Sequence, residues 1–203
     1  MTGTIFVMLY SDTGVDTLSI PRMKYSSFSN DNERRGRMSD KAIEALKGAI
    51  LLEKRGQVLY RSIADSSESD SVTEIFTKMA EEEQKHEQIL NRHYSSLVSE
   101  GKLAAISELG EVEDHTDRML TDKVKEEIEA AGYEAAAISA AIALEKEAEK
   151  YYTEKGEEAD TETEKTLYDW LARWEHGHLE MLASMDRALM ENVWFENHFW
   201  PEI

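Results

Sequence analysis

Two glutamate–histidine pairs with identical spacing are the residues of this sequence best suited to chemistry, because carboxylates and imidazoles bind cations and transfer protons. Glu83 precedes His86 by three residues, and Glu175 precedes His178 by three residues. Residues three apart lie on one face of a helix, so each carboxylate and its imidazole can reach the same ion. Glutamate is abundant in this chain, so the spacing alone is a weak signal.

An internal repeat relates the two pairs and adds two more glutamates. Residues 49–60 read AILLEKRGQVLY and residues 141–152 read AIALEKEAEKYY, which matches Glu53 to Glu145 at an offset of 92 residues. The same offset relates the two glutamate–histidine pairs. One offset that holds across two segments and their connection indicates a duplicated unit. Four glutamates and two histidines therefore occupy matched positions.

The matched residues lie on the apolar stripes of their segments. Glu83 and His86, for example, share a stripe with Phe76, Met79 and Leu90. Burying one unpaired carboxylate costs several kcal/mol, and four together repel strongly unless they are protonated or bound to cations. Two divalent ions would supply the missing charge, and oxygen-rich ligation with two imidazoles favours iron or manganese. The alternative is a purely structural polar layer.

Four long amphipathic segments are predicted to carry these residues as helices. Only two prolines occur in 203 residues, and Ala, Glu, Leu and Lys are abundant, which favours helix. Ser71 with Glu74, and Thr161 with Glu164, have the spacing of capping boxes. The predicted helices are about 40–65, 71–97, 132–158 and 163–190.

The connections between these helices predict the topology. Short polar segments join the first helix to the second and the third to the fourth, so each pair should form an antiparallel hairpin. The link between the hairpins, about 99–131, contains a predicted helix near 117–130 and is long enough to cross the bundle from end to end. We therefore predict an all-α four-helix bundle made of two repeated hairpins with a long crossover connection.

At these positions the sequence resembles the ferritin-like di-iron carboxylate proteins, and within them the rubrerythrin and bacterioferritin branch, over about 39–190. That class takes one glutamate from each of two helices and Glu-x-x-His from the other two. The resemblance implies two bound iron ions, although manganese or a mixed pair would also fit. The implied ligands are Glu83 and Glu175 as bridges, Glu53 with His86 at one ion, and Glu145 with His178 at the other.

Some features depart from the rubrerythrin pattern and leave the specific activity open. Rubrerythrins usually carry a further glutamate one turn after the third-helix ligand, where this chain has Ala148. Full-length rubrerythrins also carry a cysteine-ligated iron domain, and these 203 residues contain no cysteine. Glu149 is a candidate supplementary ligand, but its repeat partner is Gln57, which favours a supporting role behind the ligands.

Tyr60 and Tyr152 follow Glu53 and Glu145 by seven residues, which is two helical turns. Related proteins often keep a tyrosine near the cluster, so the resemblance implies that these hydroxyls could hydrogen-bond a ligand or donate an electron. The alternative is that both are ordinary buried tyrosines of a helical bundle.

The charge of the chain limits its partners. A formal net charge of −19 argues against nucleic acid and anionic membranes, both of which require a positive surface. A negative field attracts divalent cations, although an acidic surface also serves solubility alone. The longest apolar run near the start, Ile5 to Tyr10, is far too short for a membrane span or a signal sequence. We expect a soluble, cytoplasmic protein and a homo-oligomer, with a dimer favoured.

The two ends of the chain differ from the bundle segment 38–190. Residues 1–37 are rich in Ser, Asn and Gly and show no helical period, so we expect a disordered extension. Met38 stands directly before the first predicted helix, and we hypothesise that translation begins there. Residues 191–203 form an aromatic tail that is too short for another long helix.

Three functions remain open from the sequence. The first is a di-iron oxidoreductase that oxidises ferrous iron, reduces hydrogen peroxide, or both, with oxygen or peroxide as oxidant and an external electron donor for sustained peroxide reduction. The second is an iron-binding or storage protein with little turnover. The third is a structural module in which the cluster only holds the helices together.

Overall fold

The computed structural model describes residues 6–11, 14–19, 26–109 and 132–196. Four long helices dominate these residues, and the predicted all-α four-helix bundle is confirmed. The helices are α1 (Ser26–Ser66), α2 (Asp70–Glu100), α3 (Gly132–Glu157) and α4 (Glu162–Glu196). The helical part from Lys41 onward forms one compact unit.

Two apolar clusters fill the bundle on either side of the predicted ligands. The first apolar cluster includes Tyr60, Ile63, Phe76, Met79, Ile138, Ala141, Leu182 and Met185. The second apolar cluster includes Leu46, Ala49, Leu90, Leu97, Ala148, Tyr152, Leu167, Tyr168 and Leu171. The polar layer is therefore enclosed between two hydrophobic layers.

The membership of these clusters fixes the direction of the helices. The first cluster draws on residues after Glu53 in α1 and after Glu175 in α4, but on residues before Glu83 in α2 and before Glu145 in α3. The second cluster shows the reverse order. Hence α1 and α4 run one way and α2 and α3 run the other, with each hairpin antiparallel. The shared direction of α2 and α3 is the arrangement that the predicted crossover connection requires. Residues 110–131 of that connection lie outside the described residues.

The helix ends near the turns are set by specific caps. Ser69, with φ −91° and ψ 121°, caps α2 and accepts a hydrogen bond from the N–H of Val72 at 3.3 Å. The predicted cap, Ser71, is wrong: it lies inside the first turn of α2, and Ser69, whose backbone is extended, precedes the first helical residue. Gly101 ends α2 with a left-handed φ of 71°.

The predicted cap of α4 is confirmed in part. The N–H of Glu164 donates to the hydroxyl of Thr161 at 3.2 Å. The carboxylate of Glu164 reaches back to the N–H of Asp160 rather than to that of Thr161, at 3.2 Å. Both ends of the box are therefore satisfied, with a one-residue shift in one of its two bonds.

The segment before the bundle contains regular elements that the sequence pattern did not predict. Strands β1 (Phe6–Ser11) and β2 (Gly14–Ser19) pair antiparallel, with Phe6 opposite Ser19. Helix α1 begins at Ser26 rather than near residue 40. Residues 26–39 contain no proline and one glycine, so nothing stops a helix there, but their polar composition gives no amphipathic period to detect. Whether translation begins at Met38 stays a prediction.

Other expectations fall at the end of the bundle or outside the described residues. Helix α4 continues to Glu196, so the first part of the predicted aromatic tail is helical, and residues 197–203 lie outside the described ranges. The predicted helix near 117–130 also lies outside them. Among the described helices, none has a stretch apolar enough to cross a membrane.

Candidate metal centre

The six predicted ligands meet in the middle of the bundle. Glu53 comes from α1, Glu145 from α3, and a glutamate–histidine pair from each of α2 and α4. The exposed fractions of these six residues lie between 1% and 4%. The six are Glu53, Glu83, His86, Glu145, Glu175 and His178.

These side chains form two overlapping groups of four. In each group, one ligand atom per residue lies within 4.8 Å of all the others. Glu83 and Glu175 belong to both groups, whereas Glu53 with His86 and Glu145 with His178 belong to one each. Two positions that share two carboxylates and have one further carboxylate and one imidazole apiece fit a di-metal site.

Both histidines direct Nδ1 at the carboxylates. Nδ1 of His86 lies 3.2 Å from Oε2 of Glu53, 3.5 Å from Oε2 of Glu83 and 3.7 Å from Oε1 of Glu175. Nδ1 of His178 lies 3.2 Å from Oε1 of Glu83, 3.4 Å from Oε1 of Glu145 and 3.4 Å from Oε2 of Glu175. Nδ1 of each imidazole therefore faces three carboxylates. Two belong to the shared glutamates, Glu83 and Glu175, which are in both groups, and the third belongs to the terminal glutamate, which is in one group only.

The electrostatics separate the shared glutamates from the terminal ones. Burial, followed by the charge of the neighbouring glutamates, raises the pKa of Glu83 and the pKa of Glu175 well above the usual range. Burial acts in the same direction on Glu53 and Glu145, but hydrogen bonding and the histidines outweigh it and lower the pKa of both carboxyl groups. Without cations, protons on the shared glutamates would relieve the repulsion.

The histidines are shifted towards the charged form. Burial lowers the pKa of an imidazole, but the surrounding carboxylates outweigh this effect in both cases. Glu53 is the main group that raises the pKa of His86. Glu145, Glu175 and Glu82 raise the pKa of His178 well above its ordinary value. The cluster therefore has the negative potential that a cation site requires.

Several buried ligand atoms of the centre have no hydrogen-bond partner among the described residues. Oε1 of Glu83, both carboxylate oxygens of Glu175 and Nδ1 of His178 are buried and make no hydrogen bond with the described residues. Nδ1 of His178 is close to carboxylate oxygens, but without hydrogen-bond geometry. Buried polar atoms normally have hydrogen-bond partners. These atoms without partners belong to the two shared glutamates and to a histidine of one group. Their position fits ligation of metal ions.

The two predicted tyrosines bind the terminal glutamates across the repeat. The hydroxyl of Tyr60 donates to Oε1 of Glu145, and the hydroxyl of Tyr152 donates to Oε1 of Glu53. Both tyrosines are fully buried. Burial and the charge of these glutamates raise the pKa of both phenols well above the ordinary value, so each keeps its proton. The tyrosines therefore hydrogen-bond two candidate ligands in addition to packing in the bundle core.

The supplementary candidates lie outside the two groups. Glu149 belongs to neither group, and its carboxylate lies 2.9 Å from Nδ1 of His176 near the surface. Gln57, its repeat partner, donates to Glu87 at 2.8 Å and to the backbone oxygen of Glu83 at 3.4 Å. Ala148 is buried in the second apolar cluster. This position therefore offers no carboxylate where rubrerythrins usually carry a glutamate.

Sequence reasoning missed three residues that surround the histidines. Oε2 of Glu82 lies 2.9 Å from Nε2 of His178. The ring of His86 packs edge-on against Trp174 and Trp170, with ring centroids 5.3 Å and 5.5 Å apart. The repeat exposed the ligands because they are identical in both halves, and these neighbours differ between the halves.

Comparison with known proteins agrees with this geometry. A solved structure of a hypothetical protein from Pyrococcus furiosus has a TM-score of 0.55 and 24% identity, and covers 74% of this chain and 90% of that chain. At that identity the likeness shows the fold alone. No curated protein matches the sequence. Residues 44–186, well over half of the chain and including all six candidate ligands, match the Rubrerythrin family. The chain belongs to the rubrerythrin family.

Proposed function

We propose that this protein is a non-haem di-iron oxidoreductase that oxidises ferrous iron, reduces hydrogen peroxide, or does both at its Glu4His2 centre. The observation that carries the proposal is the sharing of Glu83 and Glu175 between two four-residue groups. Shared carboxylates hold two ions close together, which a storage or purely structural site does not require. Two ferrous ions would supply two electrons together and become ferric. One molecule of hydrogen peroxide takes up two electrons and two protons to form two water molecules.

The residues around the centre have distinct roles in this proposal. Glu53 and Glu145 would each hold one ion, and the hydroxyls of Tyr152 and Tyr60 keep their carboxylates in place. The two apolar clusters limit the access of water from both ends of the bundle, which strengthens electrostatic interactions inside.

Iron as the resident metal is part of the proposal. Four carboxylates and two imidazoles form a hard, oxygen-rich donor set that suits iron and manganese better than copper or other metals that favour sulfur. The chain has a formal net charge of −19, which would raise the local concentration of a divalent ion near the protein. The same charge speaks against nucleic acid or an anionic membrane as a partner.

Electrons for repeated turnover would come from outside these residues. The sequence contains no cysteine, so it supplies no thiolate-ligated iron to relay electrons. Excess ferrous iron can act as its own electron source, whereas sustained peroxide reduction would use an external reductase.

The test is rapid mixing of protein loaded with ferrous iron without oxygen. We expect oxidation of about two ferrous ions per chain, faster with peroxide than with oxygen. Further turnovers should require excess ferrous iron or an added reductase. The Glu83→Ala variant should lose the fast phase, and a variant of the exposed neighbour, Glu81→Ala, should retain it. If the loaded, reduced protein reacts with neither oxidant within minutes, storage or a structural role replaces the enzyme.

A further inference from the structure

The two halves of the centre differ at a pair of repeat positions beside the histidines. Glu82 on α2 and Trp174 on α4 are related by the same 92-residue offset as the ligands, and each directly precedes a shared glutamate. Glu82 reaches across the bundle to His178, the histidine of the other half. Trp174 packs against both histidines, closer to His86 at 5.3 Å between ring centroids than to His178 at 6.1 Å. The ligands obey the repeat symmetry, and these two neighbours break it.

Glu82 fixes the ring of His178. Its Oε2 lies 2.9 Å from Nε2, and the two side chains are only 13% and 5% exposed. A carboxylate accepts hydrogen bonds, so Nε2 carries the proton and donates it. Nδ1 is then the nitrogen that faces Glu83, Glu145 and Glu175, at 3.2–3.4 Å. A carboxylate behind a ligating histidine sets the tautomer and makes the imidazole a stronger ligand.

Trp174 provides a different environment for His86. The indole ring meets the imidazole edge-on at 5.3 Å between centroids, and Trp170 packs on the same imidazole at 5.5 Å. An indole N–H is a donor only, so the residue that matches Glu82 cannot accept a hydrogen bond from His86. It also adds no negative charge. The two indole rings therefore position the imidazole of His86 by packing.

We propose that the two ion positions of the centre are inequivalent and fill in order, with the ion at His178 bound first and more tightly because of Glu82. The ion at His86 is then the weaker, more readily exchanged one. Glu82 is a positioning residue that acts through His178, and the proposal rests on the di-metal centre proposed above. It adds that a chain with nearly symmetric ligands has one tight and one labile position for a divalent cation.

The test is a titration of metal-free protein with Co²⁺ alone, followed by calorimetry and visible absorption. Wild-type protein should bind two ions in two resolved steps. Glu82→Leu should weaken the tighter step about 10- to 100-fold and leave the total at two ions, so that the steps approach each other. Glu82→Gln, whose amide oxygen still accepts a hydrogen bond, should fall between the two. Glu81→Leu, at the exposed neighbouring position, should titrate like wild type.

A double-mutant cycle separates this role from a general effect on folding. In His178→Ala protein the ion at His86 should remain, and adding Glu82→Leu should not weaken it further if Glu82 acts on the centre through His178, as proposed. In His86→Ala protein the same change should weaken the remaining ion. If Glu82→Leu weakens both ions equally, or neither, the inequivalence proposed here is wrong.

The outcomes also distinguish this inference from the proposed function. Wild-type protein that binds fewer than two Co²⁺ ions would overturn the di-metal centre itself. Wild-type protein that binds two ions with identical affinity, or an unchanged titration in Glu82→Leu, would overturn only the ordered filling. Should Glu82→Leu lose its helical circular dichroism, the near-isosteric Glu82→Gln decides: an unchanged first step in it counts against the proposal.

Discussion

Glu83 and Glu175 are the residues on which the centre depends, because they alone belong to both four-residue groups. The other four ligands each belong to one group. Their removal should therefore have different consequences, and the difference can be measured without any assay of activity.

Replacing a shared glutamate should remove more metal than replacing a terminal histidine. Glu83→Ala or Glu175→Ala should lower loading from about two ions per chain to one or none, because each change removes a ligand from both positions. His86→Ala or His178→Ala should weaken mainly one ion. Elemental analysis after equilibrium dialysis measures the loading. Two tightly bound ions in the quadruple glutamate-to-alanine protein would show that the ions lie elsewhere.

The tyrosine hydroxyls should matter to stability as well as to chemistry. Tyr60→Phe removes the hydroxyl that donates to Oε1 of the buried Glu145, and Tyr152→Phe removes the hydroxyl that donates to Oε1 of the buried Glu53. We expect each change to lower the free energy of unfolding of the metal-free protein by about 1–3 kcal/mol, measured by denaturant titration. The loss should be smaller when metal is bound, because an ion then satisfies the carboxylate.

Tyr151→Phe is the matched control for the tyrosine variants. It removes a hydroxyl that donates to the backbone oxygen of Ala45 at 2.8 Å, away from the ligands. Its effect on stability should be the same with and without metal. Equal effects of metal on all three variants would argue that the two buried tyrosines do not support the centre.

At the scale of the helices, the close approach of α1 to α2 leaves little room for a side chain at Gly56. A Cβ there would lie 3.1 Å from Cγ and 3.3 Å from Cδ of Glu83. Its repeat partner is Ala148, so the other half of the bundle accommodates a methyl group at the equivalent place. The glycine thus leaves space for a shared ligand on one side only.

Gly56→Ala should displace Glu83 and weaken metal binding while the helices stay intact. Alanine favours helix over glycine by about 0.8–1 kcal/mol, which offsets part of the crowding in the metal-free protein. Calorimetric titration with Co²⁺ measures the affinity. Gly177→Ala is the control, since nothing lies within 4 Å of a Cβ built there, and it should bind metal like wild type. Unchanged affinity in Gly56→Ala would show that Glu83 moves without cost.

The helices, their caps and the residues of the centre could be predicted from the sequence with different completeness. Long apolar stripes gave the four helices to within a few residues at most ends, and the repeat identified the six candidate ligands that meet in the bundle. The polar segment 26–39 carries no such stripe, so the early start of α1 at Ser26 was missed. Ser69 could not be told from Ser71 because both are serines next to a helix. Glu82 and Trp174 were missed because a repeat reveals only what its halves share.

At the scale of the whole molecule, the apolar clusters should keep the bundle folded without metal. The groups that change with pH are Glu83, Glu175, His86 and His178, whose pKa values are raised in the folded protein. Stability that comes from raised groups is fully present below their unfolded pKa and is lost as pH rises through the folded pKa. Glu53 and Glu145, with lowered pKa values, contribute stability that is lost only as pH falls through those values.

The metal-free protein should therefore melt at lower temperature as pH rises from about 5.5 to about 8, because the raised groups set the slope in this window. Bound ions replace the protons, so the stabilisation by metal should grow with pH. Scanning calorimetry with Mn²⁺ or chelator measures both. The metal-free double variant Glu83→Gln/Glu175→Gln, whose amides resemble protonated carboxyl groups, should show a flatter dependence. A metal effect that shrinks as pH rises would contradict the assignment of these protons.

The oligomeric state of the protein stays a prediction. We expect a homo-oligomer, with a dimer favoured over a storage cage, and the mass in solution by light scattering decides between them. A large closed shell would favour storage of iron over turnover.

The most direct test of the di-metal centre is anomalous diffraction from crystals loaded with ferrous iron and measured on both sides of the iron absorption edge. The account predicts two iron peaks per chain, both between the carboxylates of Glu83 and Glu175. One peak should lie against Nδ1 of His86 and Glu53, and the other against Nδ1 of His178 and Glu145. A single peak, or peaks on the acidic surface with none among these six side chains, would contradict it.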